Sequence, residues 1–420
     1  MHWSDLDGKR VVILGTGREG AAAAAAIPGA VATSDTPVAG FPVEVLVAPE
    51  PSFVAENFDI AVKSPGMSPR HPLVSYLREH GMPITSGTDL WMSSHSMNTT
   101  GVTGSKGKST TSSIIHHLTP GSLLGGNIGV PLLAMREADR YVVELSSYQC
   151  ESLTVSPDVA VVTSLFAEHL DWHGSEQQYF SDKLNITRHD PRVVIANAED
   201  ANVTSRISDA TWVGADNEYR LADRNGVEWI TRGREPIVPI SQLKLLGRHN
   251  ALNATIALAA VDAVSRLDAD EAAEKLSTFL PLENRLEPIR DPSGLTFVND
   301  SLSTSPYAAI EALRAFPGAD VTLIVGGQDR GVDYVPLAKF LQGHPVAAVI
   351  GLPPSGQRIL DEIDGLTVLA SGMRDAVEKA RQLTPAGGTV LLSPAAPSYG
   401  IYRDFAERAA DFKKCIEETA

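Results

Sequence analysis

The sequence predicts an α/β protein of three domains with mostly parallel sheets, and three observations predict it. A chain of 420 residues exceeds what one hydrophobic core organises. Short apolar or β-branched runs, each ended by Gly, Ser or Asp, alternate with helical stretches, which is the rhythm of βα units. Twice such a run passes through a glycine loop straight into a helix, at residues 15–20 and 103–109.

Three segments separate on pattern. The first, residues 1–93, carries the runs Arg10–Leu14, Val31–Asp35, Ile60–Val62 and Pro83–Thr85. Its stretch Gly20–Ile27 is nearly all alanine, a helix former small enough to pack closely on a sheet. This reads as half of a Rossmann-type unit. The second, 94–282, opens with a strand ending at Thr103 and continues with Tyr141–Leu145, Val159–Ser164 and Val193–Ala196. A charged, alternating stretch, Ser208–Val238, reads as an antiparallel appendage before the helix Asn250–Ser265. The third, 283–420, repeats the Rossmann-like rhythm with strands Thr296–Asn299, Val321–Val325, Ala347–Ile350, Thr367–Leu369 and Thr389–Leu392. Sites are then expected at strand C-terminal ends.

Composition narrows the function. Hydrophobic residues are 43% and charged residues 20%, as in ordinary soluble domains. No apolar run has the length of a membrane span, and no basic-then-apolar leader precedes the first strand. A net charge of −16 speaks against nucleic-acid or anionic-membrane surfaces, which need cation-rich faces. Cys150 and Cys415 are too few for a disulfide framework and read as two thiols of a cytoplasmic protein.

The strongest local signal is Thr103-Gly-Ser-Lys-Gly-Lys-Ser109, between a strand and a helix. Its glycines free backbone N–H groups for phosphate oxygens, and the helix N-terminus adds a favourable dipole. Lys108 suits β- and γ-phosphates and Ser109 suits Mg²⁺, although Val102 stands where the usual phosphate-loop spelling has glycine. The earlier loop, Gly15-Thr-Gly-Arg-Glu-Gly20, matches a dinucleotide fingerprint followed by Asp35 at the end of the next strand. It fits NAD or any other diphosphate, a UDP-sugar included. Glu144, at a strand tip, is placed to serve Mg²⁺. His169, in Ala167-Glu-His-Leu-Asp171-Trp-His173, suits a second metal, whereas His173 alone reads as a solvated loop residue. Lys183 reads by itself as an exposed helix lysine.

Together these residues resemble the Mur ligases. The resemblance runs through the phosphate loop, Gly125-Gly-Asn-Ile-Gly129, Glu144-Leu-Ser-Ser-Tyr-Gln149, Glu168-His169 with Asp171, Tyr179 to Lys183 and Gly247-Arg-His-Asn250. It continues through Arg285, Asn299-Asp-Ser301 and Leu392-Ser-Pro-Ala395, so it spans the chain. It implies an ATP-dependent amide-forming ligase of peptidoglycan precursor synthesis, adding glutamate to UDP-N-acetylmuramoyl-L-alanine through an acyl phosphate. A folylpolyglutamate-type ligase is a rival, but would not need the first glycine loop.

Carried over residue by residue, the resemblance implies ATP contacts from Gly104, Ser105, Lys106, Gly107, Lys108, Ser109, Thr110 and Asn250, with Arg285 and Asp300 in the third domain. Gly15, Thr16, Gly17, Asp35, Thr36, Ser64, Pro65, Gly66 and Asn127 would hold the UDP-sugar. Two Mg²⁺ would use Ser109, Glu144, His169 and Lys183, the lysine as a carbamate, with Lys108, His169 and Lys183 catalytic. Thr304, Arg330, Ser398 and Phe405 would contact glutamate. Leu302 and Arg330 stand where D-glutamate-adding members carry lysines, and the spellings Gly17-Arg-Glu-Gly20 and Asn299-Asp-Ser-Leu-Ser-Thr304 resemble the branch that adds L-glutamate, with the same ligation of D-glutamate as the alternative. A monomer without nucleic-acid or membrane partners is expected.

Overall fold

The structure is a computed structural model that describes residues 1–316 and 320–420. Its strands form three sheets. The first contains β1 (Val11–Leu14), β2 (Val31–Ser34), β3 (Val45–Val47), β4 (Ile60–Lys63) and β5 (Ile84–Thr85), all parallel, in the order β3-β2-β1-β4-β5. It is a complete five-stranded doubly wound sheet rather than half a unit. β1 is buried on both faces, as a run without polar alternation requires. Val11 and Ile13 pack with Ala23 and Leu90 on one face, while Val12 and Leu14 pack with Val74 and Leu77 on the other. A Cβ on Gly20 would lie 2.1 Å from the carbonyl oxygen of Gly15, so glycine lets the alanine helix Arg18–Ala26 start against its strand.

The second sheet has β6 (Thr99–Thr103), β7 (Leu123–Gly126), β8 (Tyr141–Glu144), β9 (Val159–Val162), β10 (Val193–Asn197), β11 (Thr211–Val213), β12 (Tyr219–Arg224), β13 (Val227–Arg232) and β14 (Glu235–Pro239). Their order is β14-β13-β12-β11-β10-β9-β6-β8-β7. Pairing is parallel from β7 to β12, and β12–β14 form the expected antiparallel appendage. Buried β6 lies between β8 and β9, which brings the loops after these three strands to one end.

The third sheet has β15 (Glu287–Arg290), β16 (Thr296–Asn299), β17 (Val321–Gly326), β18 (Ala348–Leu352), β19 (Thr367–Leu369) and β20 (Thr389–Leu392), ordered β15-β16-β20-β17-β18-β19. Only β15 is antiparallel to its neighbour.

The chain divides into two compact units, residues 1–243 with 250–279, and residues 244–249 with 280–420. The expected break at 93/94 falls inside the helix Gly87–His95. That helix belongs to both neighbouring cores, with Leu90 in a first-sheet cluster and Trp91 and Met92 in a second-sheet cluster. No helix among the described residues is long and apolar enough to cross a membrane.

Candidate active site

The loop after β6 is shaped by glycines at two tight places. Gly104 has φ +147°, and a Cβ there would lie 2.0 Å from the Thr163 hydroxyl oxygen. Gly107, at φ +86°, caps the helix Lys108–Leu118, and a Cβ there would lie 2.6 Å from Oδ1 of Asn253. Neighbouring loops brace this backbone. The Ser164 carbonyl accepts from the Ser105 amide at 2.8 Å, the Ser164 hydroxyl from the Lys106 amide at 2.9 Å, and Ser105 Oγ bonds the Tyr179 hydroxyl at 2.8 Å. Lys106 pairs with Glu168 at 2.6 Å.

Two lysines meet at one carbonyl. Lys108 Nζ donates to the Gly104 oxygen at 2.8 Å, and Lys183 Nζ donates to the same oxygen at 2.9 Å. Lys183 is 2% exposed, which corrects its sequence reading as a surface lysine. Burial, then the charge of Lys108, pushes its ammonium down to about 7. Glu144 ends β8 beside them, and its Oε1 accepts from Asn127 Nδ2 at 2.6 Å. Its Oε2 is buried without a hydrogen-bond donor, a costly state that a facing cation would relieve. Among the described residues no three His, Cys, Asp or Glu side chains form a ready metal cage.

His169 sits at the start of the short helix Leu170–His173 with φ +55°, its ring 5.2 Å from that of Tyr148. His173 is not solvated as its loop position suggests. Its Nδ1 lies 2.6 Å from Asp182 and its Nε2 lies 2.9 Å from the Ser147 hydroxyl, all buried. This chain ties the Lys183 helix to the segment after β8.

Gly15, Thr16 and Gly17 follow β1, Asp35 and Thr36 follow β2, and Ser64, Pro65 and Gly66 follow β4, so all eight lie at adjacent strand ends. The Ser64 hydroxyl donates to the Gly15 carbonyl at 3.3 Å, and exposed Asp35 lies 3.6 Å from His71. Sequence reasoning missed Arg18, which donates to the carbonyls of Gly126, Asn127 and Gly129, each at 3.2 Å. It also missed buried Lys63, whose Nζ lies 3.3 Å from the Met67 carbonyl and 3.4 Å from Glu151. Both lie beside motif residues, but the Arg18 carbonyls and the Lys63 partner Glu151 are far along the chain.

In the other unit, Asp300 follows β16 and is buried. Its carboxylate accepts from the Ser303 and Ser393 hydroxyls and the Leu286 amide, yet burial pushes its pKa up to about 6. Arg285, two residues before β15, acts on it electrostatically. Thr304, Arg330 and Ser398 follow β16, β17 and β20, and Phe405 opens the helix Phe405–Glu418. Thr304 and Arg330 are exposed while Ser398 is buried. Arg330 donates to Gln328 at 2.9 Å and lies 5.9 Å from the Tyr399 ring.

Comparisons with known proteins bear on this geometry. Residues 102–261 match the Mur ligase middle domain. A UDP-N-acetylmuramoyl-L-alanine--L-glutamate ligase of Micromonospora sp. is 46% identical over 100% of this chain and 99% of its own. The protein of that name from Xanthomonas campestris is 35% identical over 98% of this chain and 96% of its own. In fold, the UDP-N-acetylmuramate-alanine ligase of Thermotoga maritima superposes with a TM-score of 0.62 at 20% identity, covering 98% of this chain and 100% of that one. A pseudomurein peptide ligase type C from Methanothermus fervidus gives 0.64 at 16% identity, with 98% and 100% coverage. Three α/β domains, a phosphate loop after β6 and the matched Mur ligase middle domain, with relatives named as ligases, therefore define an ATP-dependent, amide-bond-forming ligase. The chain belongs to the Mur ligase family.

Proposed function

We propose that the protein joins L-glutamate to the L-alanyl carboxylate of UDP-N-acetylmuramoyl-L-alanine at the expense of ATP. The observation that carries this reading is the pair Lys108 and Lys183, which share the Gly104 carbonyl while Glu144 acts electrostatically on Lys183. Gly104, Ser105, Lys106, Gly107, Lys108, Ser109 and Thr110 cradle the ATP phosphates, and Asn250 lies on the adenine side. Arg285 and Asp300 contribute from the third domain. The strand-end residues Gly15 to Gly17, Asp35, Thr36 and Ser64 to Gly66 take the UDP-sugar, with Asn127 towards the muramoyl group.

The alanyl carboxylate oxygen attacks the γ-phosphorus and ADP leaves, which gives an acyl phosphate. The glutamate amine then attacks its carbonyl carbon, phosphate leaves with the electron pair of the broken C–O bond, and the amine loses a proton. Lys108 neutralises charge on the transferring phosphoryl group. Glu144, Ser109, His169 and Lys183 would hold Mg²⁺, which supplies further neutralisation of phosphate charge when bound. A lysine near 7 is partly a free amine at neutral pH, so it can add CO₂ and become an anionic ligand. Thr304, Arg330, Ser398 and Phe405 contact glutamate. Leu302 and Arg330, in place of lysines, support the L enantiomer, as do the full-length relatives named for it.

Phosphate release with the nucleotide-sugar acceptor and each glutamate enantiomer tests the proposal. Turnover with L-glutamate is expected, and turnover with D-glutamate alone rejects the stereochemical assignment. Lys183→Ala should abolish turnover, with partial recovery on adding short carboxylates. Full activity of that variant rejects the carbamate.

A further inference from the structure

Arg408 lies in the first turns of the helix Phe405–Glu418 and is 1% exposed. Its Nη1 donates to the Ala396 carbonyl at 3.0 Å and its Nη2 to the Ser301 carbonyl at 2.8 Å. A Cβ on Gly327 would lie 3.0 Å from Nη1 and 2.3 Å from the Pro397 carbonyl, so that backbone passes directly over the guanidinium. Nε has no hydrogen-bond partner, and among the described residues no carboxylate lies within ion-pair distance of Arg408, although the buried Asp300 acts on it electrostatically.

These contacts fall on the loops that carry the candidate glutamate residues. Thr304 follows Ser301, Arg330 follows Gly327 and Ser398 follows Ala396, each within one turn of chain, and Phe405 begins Arg408's own helix. The two donated hydrogen bonds make Arg408 a strut between these loops, since an apolar side chain would leave the Ala396 and Ser301 carbonyls without a donor, and the guanidinium brings a positive charge with it. A buried cation without a contacting carboxylate is expensive even with Asp300 acting on it at longer range, and its field reaches far where water is excluded. Burial lowers its pKa only to about 10, so the charge persists at neutral pH.

We propose that Arg408 is the positioning residue of the amino-acid pocket: it sets three loop ends against one another and lends them the positive charge that selects a dicarboxylic amino acid. This rests on the ligase reading above.

The test uses full-length Arg408→Lys and Arg408→Met with glutamate and, as a neutral isostere, glutamine. Wild-type turnover is measured first; if glutamate gives none, the ligase reading and this proposal both fall. With turnover present, Arg408→Met should raise the KM for glutamate and cut the glutamate-over-glutamine ratio of kcat/KM by about tenfold, the scale of one charge-assisted hydrogen bond. Arg408→Lys should keep the ratio, and the KM values for ATP and the UDP-sugar should stay constant in both. A ratio unchanged in Arg408→Met overturns the proposal alone, whatever its loss of rate. Should that variant not fold, hydrogen exchange on the wild type decides. Glutamate, added with the UDP-sugar and a non-hydrolysable ATP analogue, should protect residues 301–304, 327–330 and 396–398 together. Protection missing from any one of these loops overturns it.

Discussion

Gly104 shows how much one residue can carry. Its φ of +147° turns the chain out of β6, its carbonyl receives both Lys108 and Lys183, and its missing Cβ leaves room for Thr163. Gly104→Ala should lower kcat/KM for ATP by about a hundredfold, because small displacements of a phosphate-positioning group are that costly. A phosphate-release assay at varied ATP checks this, and wild-type kinetics would contradict it. Asp300 makes the second residue-scale prediction. Its folded pKa lies near 6 against an ordinary 3.8, so its stabilising contribution is full below the lower value and is lost as pH rises through the upper one. The loss amounts to roughly 3 kcal/mol. Urea unfolding at about pH 4 and about pH 7 should show wild type losing that much relative to Asp300→Asn; equal pH slopes would reject the account. The sequence marked both residues through their motifs. It misread Lys183 and His173, because nothing adjacent to either position specifies burial.

Elements were legible where one run of residues decides them. The strands Thr296–Asn299, Thr367–Leu369 and Thr389–Leu392 appear as read, and others differ by a residue or two at their ends. β3, β7 and β15 were missed. They are three or four residues long, β7 ends in two glycines and β15 contains Pro288, so only pairing with neighbours makes them strands. The helix Glu176–Leu184 carries Lys183 in its last turn and is capped by Ser175, whose hydroxyl accepts from the Gln178 amide at 3.1 Å. Ser175→Ala should cost about 1 kcal/mol in urea unfolding while leaving the KM for ATP unchanged. A variant as stable as wild type would show that packing alone holds this helix.

For the whole molecule, the cores belong to separate units. One unit holds the clusters around Ile13, Val143 and Val162, and the other holds those around Leu323 and Phe412. The phosphate loop belongs to the unit with residues 1–243. Mass action then predicts that a non-hydrolysable ATP analogue at about a hundred times its Kd stabilises this unit by about 2.7 kcal/mol. Hydrogen exchange read separately over the two units checks it, and protection absent from residues 103–110 would refute it.

By itself the sequence determined the α/β class, the strand–loop–helix junctions and the motif residues, because each is written within about ten consecutive positions. Tertiary structure alone decided which of those residues share an environment. Lys183 meets Gly104 across 79 positions, and Arg408 meets Ser301 across 107. The lowered basicity of both follows from removal of water, and burial is a property of the packed chain rather than of any local stretch.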